Sequence, residues 1–483
     1  MSNIGLLVPD TLAEIMDRLP PDINQKFTFT QVSRYWRDVS LGNHLFWSSF
    51  TCGPSKADCF RIPIVLERSG RAMLHARFQF TDGHTPAWQG DAMAALVPHV
   101  ARIETLEAEF WVYSNYSLPP RTVEALLNSN LVFPALQTLR LQGPEYGHPP
   151  LVQLTAPQLR TLDVEHFDSG NWASLFSSSL ETIRLYHTRW GISLQPLLDI
   201  FDRCPRAWRV VYDAYTWSSS YEDDFFEAFT RRQPLAPALR ELELRTDDAD
   251  LSRIIKAGFS DVVLPTLTAC LYGSEMDVLT EALLPGVGPL VVFELDHGMQ
   301  QVELRDDVGH IRRLQCWNDD SSFEVDYTWE HLCVHYDLHK TVRELRISRW
   351  NEYVEIFERY PPQLPDGITL IYTGAAHSYM ASSVSTGEEE EEEEEDSEYV
   401  TKTMRIPGLA RLEFSGEYPL ILKSVLRILP LVEPPAARKV EVCIRNMKLL
   451  TTETGIDPFG VFQRAFSGDC WAICNRCISH CFH

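Results

Sequence analysis

The densest gathering of ligand-type side chains is Cys470, Cys474, Cys477, His480, Cys481 and His483. Cys474-x-x-Cys477 has the spacing of one half of a zinc site, two thiolates that reach one tetrahedral metal. The other half would have to come from His480, Cys481 or His483, almost adjacent. Structural zinc sites set their two pairs about a dozen residues apart, so that a fold closes between them. Gly468 to His483 supplies no such spacer, and a tail without metal is expected. His331, His335 and His339 stand at i, i+4 and i+8, one face of a helix, and two histidines so placed can hold zinc. Trp329, Leu332, Cys333 and Tyr336 form an apolar stripe on another side, which points the histidines to water. The glutamate of an H-E-x-x-H motif is missing. No metal and no other cofactor is expected.

Covalent chemistry has no better foothold. G-x-S-x-G, G-x-x-x-x-G-K-[ST] and G-x-G-x-x-G are absent. Gly286-Val-Gly288, beside Pro285 and Pro289, is turn chemistry. No acidic pair stands out as a general acid and base. The expectation is a protein that is not an enzyme; a hydrolase site assembled from distant residues is the remaining catalytic reading.

Charge narrows the partners. The net charge of −24 includes ten acidic residues at Glu388–Asp396 and Glu398, leaving −14 for the rest. Phosphate-backbone binding needs clustered Lys and Arg, so nucleic acid is not an expected partner, and neither is an anionic membrane. Met1 to Pro9 lacks the basic and apolar regions of a secretory signal. Pro419 to Val432 is too short to span a bilayer and is interrupted by Lys423 and Arg427. Eleven scattered cysteines, an odd number, fit a reducing cytoplasm or nucleus.

The elements that carry these residues repeat. Phe133–Leu141, Ala156–Val164, Ser179–Leu185, Ala236–Leu244, Thr341–Ile347 and Ile406–Phe414 each carry an L-x-x-L-x-L-like pattern, usually after Pro. Weaker copies lie at Arg102–Phe110, Leu264–Leu271, His310–Cys316 and Arg438–Ile444. The last two apolar residues of a copy lie on one face of a strand, and the first Leu turns the chain into it. Helical spacing appears between copies, at Arg121–Asn128, Leu194–Arg203, Tyr221–Arg231, Ala249–Ala257, Met276–Leu284, Glu352–Tyr360 and Leu420–Leu429. Stacked strand–helix units bury a continuous core and line up a parallel inner sheet. The array resembles an irregular leucine-rich-repeat solenoid; the alternative is an α/β domain with crossover helices. Ser378 to Tyr399, with eight consecutive Glu, has no apolar face and reads as a disordered insertion. Its bland role is a solvated loop; a decoy for basic partners or a phosphorylation-tuned segment is the other.

Before the array stands Val8–Trp47. Leu12, Ile15, Met16 and Leu19 make one helical face, Thr11 with Glu14 a capping box, and Pro20-Pro21 a stop. A second piece carries Phe29, Val32, Trp36 and Val39, and a third ends on Phe46-Trp47. The order resembles an F-box. Val8-Pro9-Asp10-Thr11 stands for that family's Leu-Pro-x-Glu opening, Val32-Ser33-Arg34-Tyr35-Trp36 for its Val-Cys-(Arg/Lys)-x-Trp, and Phe46-Trp47 for its Leu-Trp close. Val8, Thr11 and Ser33 depart from the pattern.

The resemblance implies a three-helix F-box over residues 1–55 and the solenoid over 56–377. The acidic insertion (378–399) follows, then the last repeat-like units and an irregular Cys/His tail (400–483). F-box proteins with such repeats, abundant in mushroom-forming fungi, are substrate receptors of cullin-based ubiquitin ligases. The implied partners are a Skp-type adaptor, through it a cullin, and an unknown protein substrate on the repeats. Carried over by position, Pro9, Leu12, Ile15, Leu19, Val32, Trp36 and Trp47 form the adaptor-binding or F-box core set. Two alternatives stay open: a helical cap on the array, and a leucine-rich-repeat scaffold with no ligase role.

Overall fold

The computed structural model describes residues 8–80, 87–110, 126–127, 131–143, 152–167, 174–186, 195–213, 237–246, 254–255, 259, 263–271, 283–296, 301–316, 325–347 and 368–372, and the shorter segments 404–405, 409–415, 420–421, 432–433, 439–445, 449–450, 461 and 471–473. Two compact units divide at Thr246 and Asp247.

The first unit opens with four short helices: α1 (Pro9–Arg18), α2 (Ile23–Gln31), α3 (Arg34–Gly42) and α4 (His44–Ser48). Three of them begin on a side-chain cap. Asp22 accepts from the Gln25 N–H at 2.8 Å, Ser33 from that of Trp36 at 3.1 Å, and Asn43 from that of Phe46 at 3.2 Å. Each cap is worth about 1 kcal/mol, which matters in helices too short to hold themselves. α1 departs from its expected start. Pro9 takes the first helical position and Val8 the N-cap, so Thr11 lies inside the helix and Glu14 pairs with Arg18 at 2.9 Å. Pro20-Pro21 ends the helix as expected, with Leu19 already extended.

α4 runs directly into β1 (Ser49–Cys52), followed by α5 (Lys56–Arg68), β2 (Leu74–Phe80), α6 (Ala87–Ala94), a 3-10 turn at Val97–Arg102 and β3 (Ile103–Phe110). Then come β4 (Thr138–Gln142), β5 (Thr161–Glu165), β6 (Thr182–Tyr186), α7 (Gln195–Arg203), β7 (Arg209–Asp213) and β8 (Glu241–Thr246). From β1 to β8 each strand pairs in parallel with the next in sequence. The register aligns Leu106, Leu139, Leu162, Ile183, Val210 and Leu242 in one buried row. The first Leu of the repeat pattern does turn the chain: the Leu136, Leu159 and Leu180 N–H groups bond back to Phe133, Ala156 and Ser177. Phe50, Phe78, Phe80, Phe110 and Phe167 run across the core with ring centroids 5.5–6.2 Å apart.

The second unit contains β9 (Thr266–Leu271), β10 (Leu290–Asp296), β11 (Gln301–Asp306) and β12 (Ile311–Cys316), then α8 (Val325–Tyr336) and α9 (Leu338–Thr341). β13 (Glu344–Ile347), β14 (Ile368–Tyr372), β15 (Met404–Arg405), β16 (Leu409–Ser415), β17 (Leu420–Ile421), β18 (Val432–Glu433), β19 (Val440–Arg445), β20 (Leu449–Leu450) and β21 (Trp471–Ile473) complete it. β10, β11 and β12 form an antiparallel meander, β12 lies parallel to β9, and β10 continues through β13, β14, β16, β19 and β21 in parallel. The chain is thus mixed α/β with an open, mostly parallel sheet in each unit.

All ten repeat copies fall on strands. β1, β2, β7, β10, β11, β14 and β21 carry no L-x-x-L-x-L signature and were not foreseen. Within the expected Cys/His tail, Trp471–Ile473 forms β21 and joins β19. Leu420–Ile421, expected to open a helix, pairs with Leu449–Leu450. Leu194–Arg203 is helical, as its spacing predicts. The other helical candidates, apart from a few residues, lie outside the described residues, as do the acidic run and the tail cysteines and histidines.

Candidate functional site

Two surfaces of the first unit carry unusual chemistry. In the helical segment, Leu12 and Trp47 are fully buried, so these two adaptor-binding candidates belong to the core. The Trp47 indole N–H donates to the Ser40 carbonyl at 2.8 Å. Its ring meets Phe46 and Phe27 edge-on, and the Arg68 guanidinium lies 4.5 Å over it. Pro9 and Val32 are exposed, while Ile15, Leu19 and Trp36 are half-buried. Trp36 packs on Phe29, centroids 4.5 Å apart, and its indole N–H has no acceptor among the described residues. Lys26 is buried between helices. Its ammonium donates to the Phe46 carbonyl and lies over the Phe46 ring, and burial pulls its pKa down to about 8.

Pro9, Ala13 and Met16 of α1 face Val39, Gly42 and Leu45 across a groove of about 420 Å³. Leu45 in this lining is 70% exposed, and Val8, next in the chain to Pro9, is 62% exposed. Single exposed apolar residues are ordinary; a cluster lining one concavity marks a contact surface. Leu45 was missed by sequence. The third apolar piece was read to its end at Phe46-Trp47, whose rings turn inward and leave the neighbouring Leu45 outside.

The second surface is the polar face of the sheet. Arg77, Glu107, Arg140, Asp163 and Arg184 occupy one register row across β2 to β6, so charge alternates from strand to strand. Arg77–Glu107, Arg140–Glu107 and Arg184–Asp163 approach within 3.6–3.7 Å. The carboxylates lie lower than the guanidiniums: Glu107 is 21% exposed and Arg140 55%. A neighbouring row ends on Tyr186, with Arg184 and Arg245 guanidiniums 5.0 and 4.2 Å from its ring. The charged row and Glu165 line a hollow of about 210 Å³, and burial raises the Glu165 pKa against the pull of Arg184. Opposite charges directly across strands stabilise register by a few tenths of a kcal/mol each and leave donors for a ligand.

The histidine reading is corrected. His331 is buried, not solvated, and its ring lies 4.4 Å from that of exposed His335. His339 is on a different helix, because Asp337 adopts φ 52° and breaks the chain between α8 and α9. Among the described residues no three His, Cys, Asp or Glu converge as metal ligands, and no helix is long and apolar enough to cross a membrane. The chain matches no protein-family model. No curated protein matches it.

Proposed function

We propose that the chain is the substrate-recognition subunit of a Skp–cullin–F-box ubiquitin ligase. The helical segment docks the Skp-type adaptor, and the polar faces of the strands hold the protein to be modified. What carries the reading is the groove between α1 and the α3–α4 corner, lined by exposed Pro9 and Leu45 with exposed Val8 next in the chain, directly preceding parallel strands paired in sequence order. The residues that resemble an F-box lie in these helices. Such a receptor does no bond chemistry; it raises the local concentration of a target lysine at the conjugating enzyme. Compartment follows partner, cytoplasm or nucleus.

One observation favours the alternative of a repeat scaffold with a helical cap. α4 continues into β1, and Phe46 and Trp47 are buried, so the helices also seal the sheet. Capture by an immobilised Skp-type adaptor separates the two. Full-length protein should bind, and Val8→Glu with Leu45→Glu should abolish binding while leaving the circular dichroism and melting temperature unchanged. A folded wild-type chain that does not bind the adaptor overturns the ligase reading and leaves the scaffold.

A further inference from the structure

Two thiols outside both surfaces are in contact. Cys52 ends β1 and Cys59 lies in the first turn of α5, their Sγ atoms 3.6 Å apart, and both residues are buried. Both are free thiols. The turn between them is short and held at its far end: the Ser55 side chain accepts from the Asp58 N–H at 3.1 Å, and Gly53 lies so close to Asp58 that an added Cβ would meet its carboxylate at 2.9 Å. A disulfide needs its sulfurs at about 2.05 Å. The remaining ~1.5 Å lies between side chains already in contact, seven residues apart in the chain, and no distant elements have to be brought together.

We propose that Cys52 and Cys59 form an oxidation site, at which a peroxide converts the dithiol into an intramolecular disulfide that staples β1 to α5. The thiolate of one cysteine attacks the O–O bond of hydrogen peroxide; its sulfur takes up one oxygen as sulfenic acid, and the other leaves as water with a proton. The sulfur of the second cysteine then attacks the sulfenic sulfur, its proton leaves with the hydroxyl as a second water, and the S–S bond forms. Two thiols and one peroxide yield one disulfide and two waters. Either sulfur can donate in the contact between them, so either thiol can open the sequence and the other resolve it.

The staple sits where it matters. α5 carries Arg61 and Arg68 onto the Phe27 ring at 4.9 and 5.0 Å, and Arg68 onto Trp47 at 4.5 Å. Tying its first turn to β1 therefore fixes the helix whose arginines stack on the rings of the helical segment.

The test uses the folded full-length chain. It is treated with hydrogen peroxide, its remaining thiols are alkylated, and it is digested with trypsin without reduction. Cleavage after Arg37, Lys56 and Arg61 leaves peptides 38–56 and 57–61, which only a Cys52–Cys59 disulfide joins. The linked pair should appear about 2 Da lighter than the two peptides together and vanish on reduction. In Cys52→Ser and in Cys59→Ser the linked pair should be absent, and a remaining cysteine that reacts with peroxide should stop at a sulfenic acid that dimedone traps. Recovery of both cysteines alkylated, while other thiols of the chain oxidise, overturns the proposal.

Discussion

Replacing Asp306 by Asn should cost the second unit about 2–3 kcal/mol at neutral pH, and the loss should shrink in acid. Asp306 closes the β11–β12 turn from a fully buried position. One oxygen accepts from the N–H groups of Val308, Gly309 and His310 at 2.8–3.0 Å. The other accepts from the Gly288 N–H at 3.0 Å and meets the His310 ring at 2.7 Å. Burial alone would raise the pKa. The hydrogen bonds from His310 and Gly288, with the His310 charge, override it and bring the carboxyl from 3.8 to about 2. That shift is worth about 2 kcal/mol of differential stability. An amide in its place keeps one acceptor but points an NH₂ at donors, leaving some unpaired at about 1 kcal/mol or more each.

The sign follows from linkage. The folded pKa lies below the unfolded one, so the unfolded chain binds the proton first. The stability is complete above about pH 5 and is lost as pH falls toward 2. Between pH 7 and pH 3 wild type should lose about 1 kcal/mol that Asp306→Asn cannot lose. Urea unfolding followed by far-UV circular dichroism at several pH values measures both numbers. A gap between the two proteins that stays constant from pH 7 to 3 refutes the depressed carboxyl. A neutral-pH gap under about 0.5 kcal/mol refutes the turn lock.

Lys26 gives the opposite limb of the pH scale. Its folded pKa of about 8 lies below its unfolded value, so stability should rise as pH climbs from about 8 to 10, by up to ~3 kcal/mol, and Lys26→Met should flatten that rise in matched alkaline urea titrations. Trp47→Phe should destabilise the first unit by about 2 kcal/mol, through the lost N–H bond to Ser40 and a smaller ring under Arg68; a melting temperature equal to wild type would contradict the packing. Leu162→Ala, in the middle of the buried row, should cost about 2–5 kcal/mol, whereas Arg140→Ala on the polar face should change chemical-denaturation midpoints little, since exposed ion pairs contribute below about 1 kcal/mol.

The strands that were legible are those whose side chains face one way on a half-buried surface. Leu139-Arg140-Leu141 and Leu162-Asp163-Val164 alternate because one face meets the core and the other water. β7 hides that signal: Val211 and Asp213, on its polar-face positions, are buried too, so its sequence does not alternate. β11 and β12 pair antiparallel through a turn organised by Asp306, whose bonds reach back to Gly288 ahead of β10, a contact that no local pattern announces. The candidate site divides the same way. Pro9 and Trp36 are visible as residue types in order, but their exposure is not.

Periodicity and composition dictated the element types, the rough places of ten strands, the short N-terminal helices and the lack of a recognisable catalytic or metal motif. These are local properties, set by which side of a helix or strand each residue must present. The tertiary structure alone decided which apolar residues were left over after packing. Leu12 and Trp47 went inside and Leu45 stayed out because burial depends on what each face meets, and that is settled by α4 running into β1 and by α5 closing over Trp47. It also decided that Asp337 would part His339 from the two histidines before it, and that Cys52 and Cys59 would meet across a turn. Spacing along the chain carries no distance through space until the chain has folded.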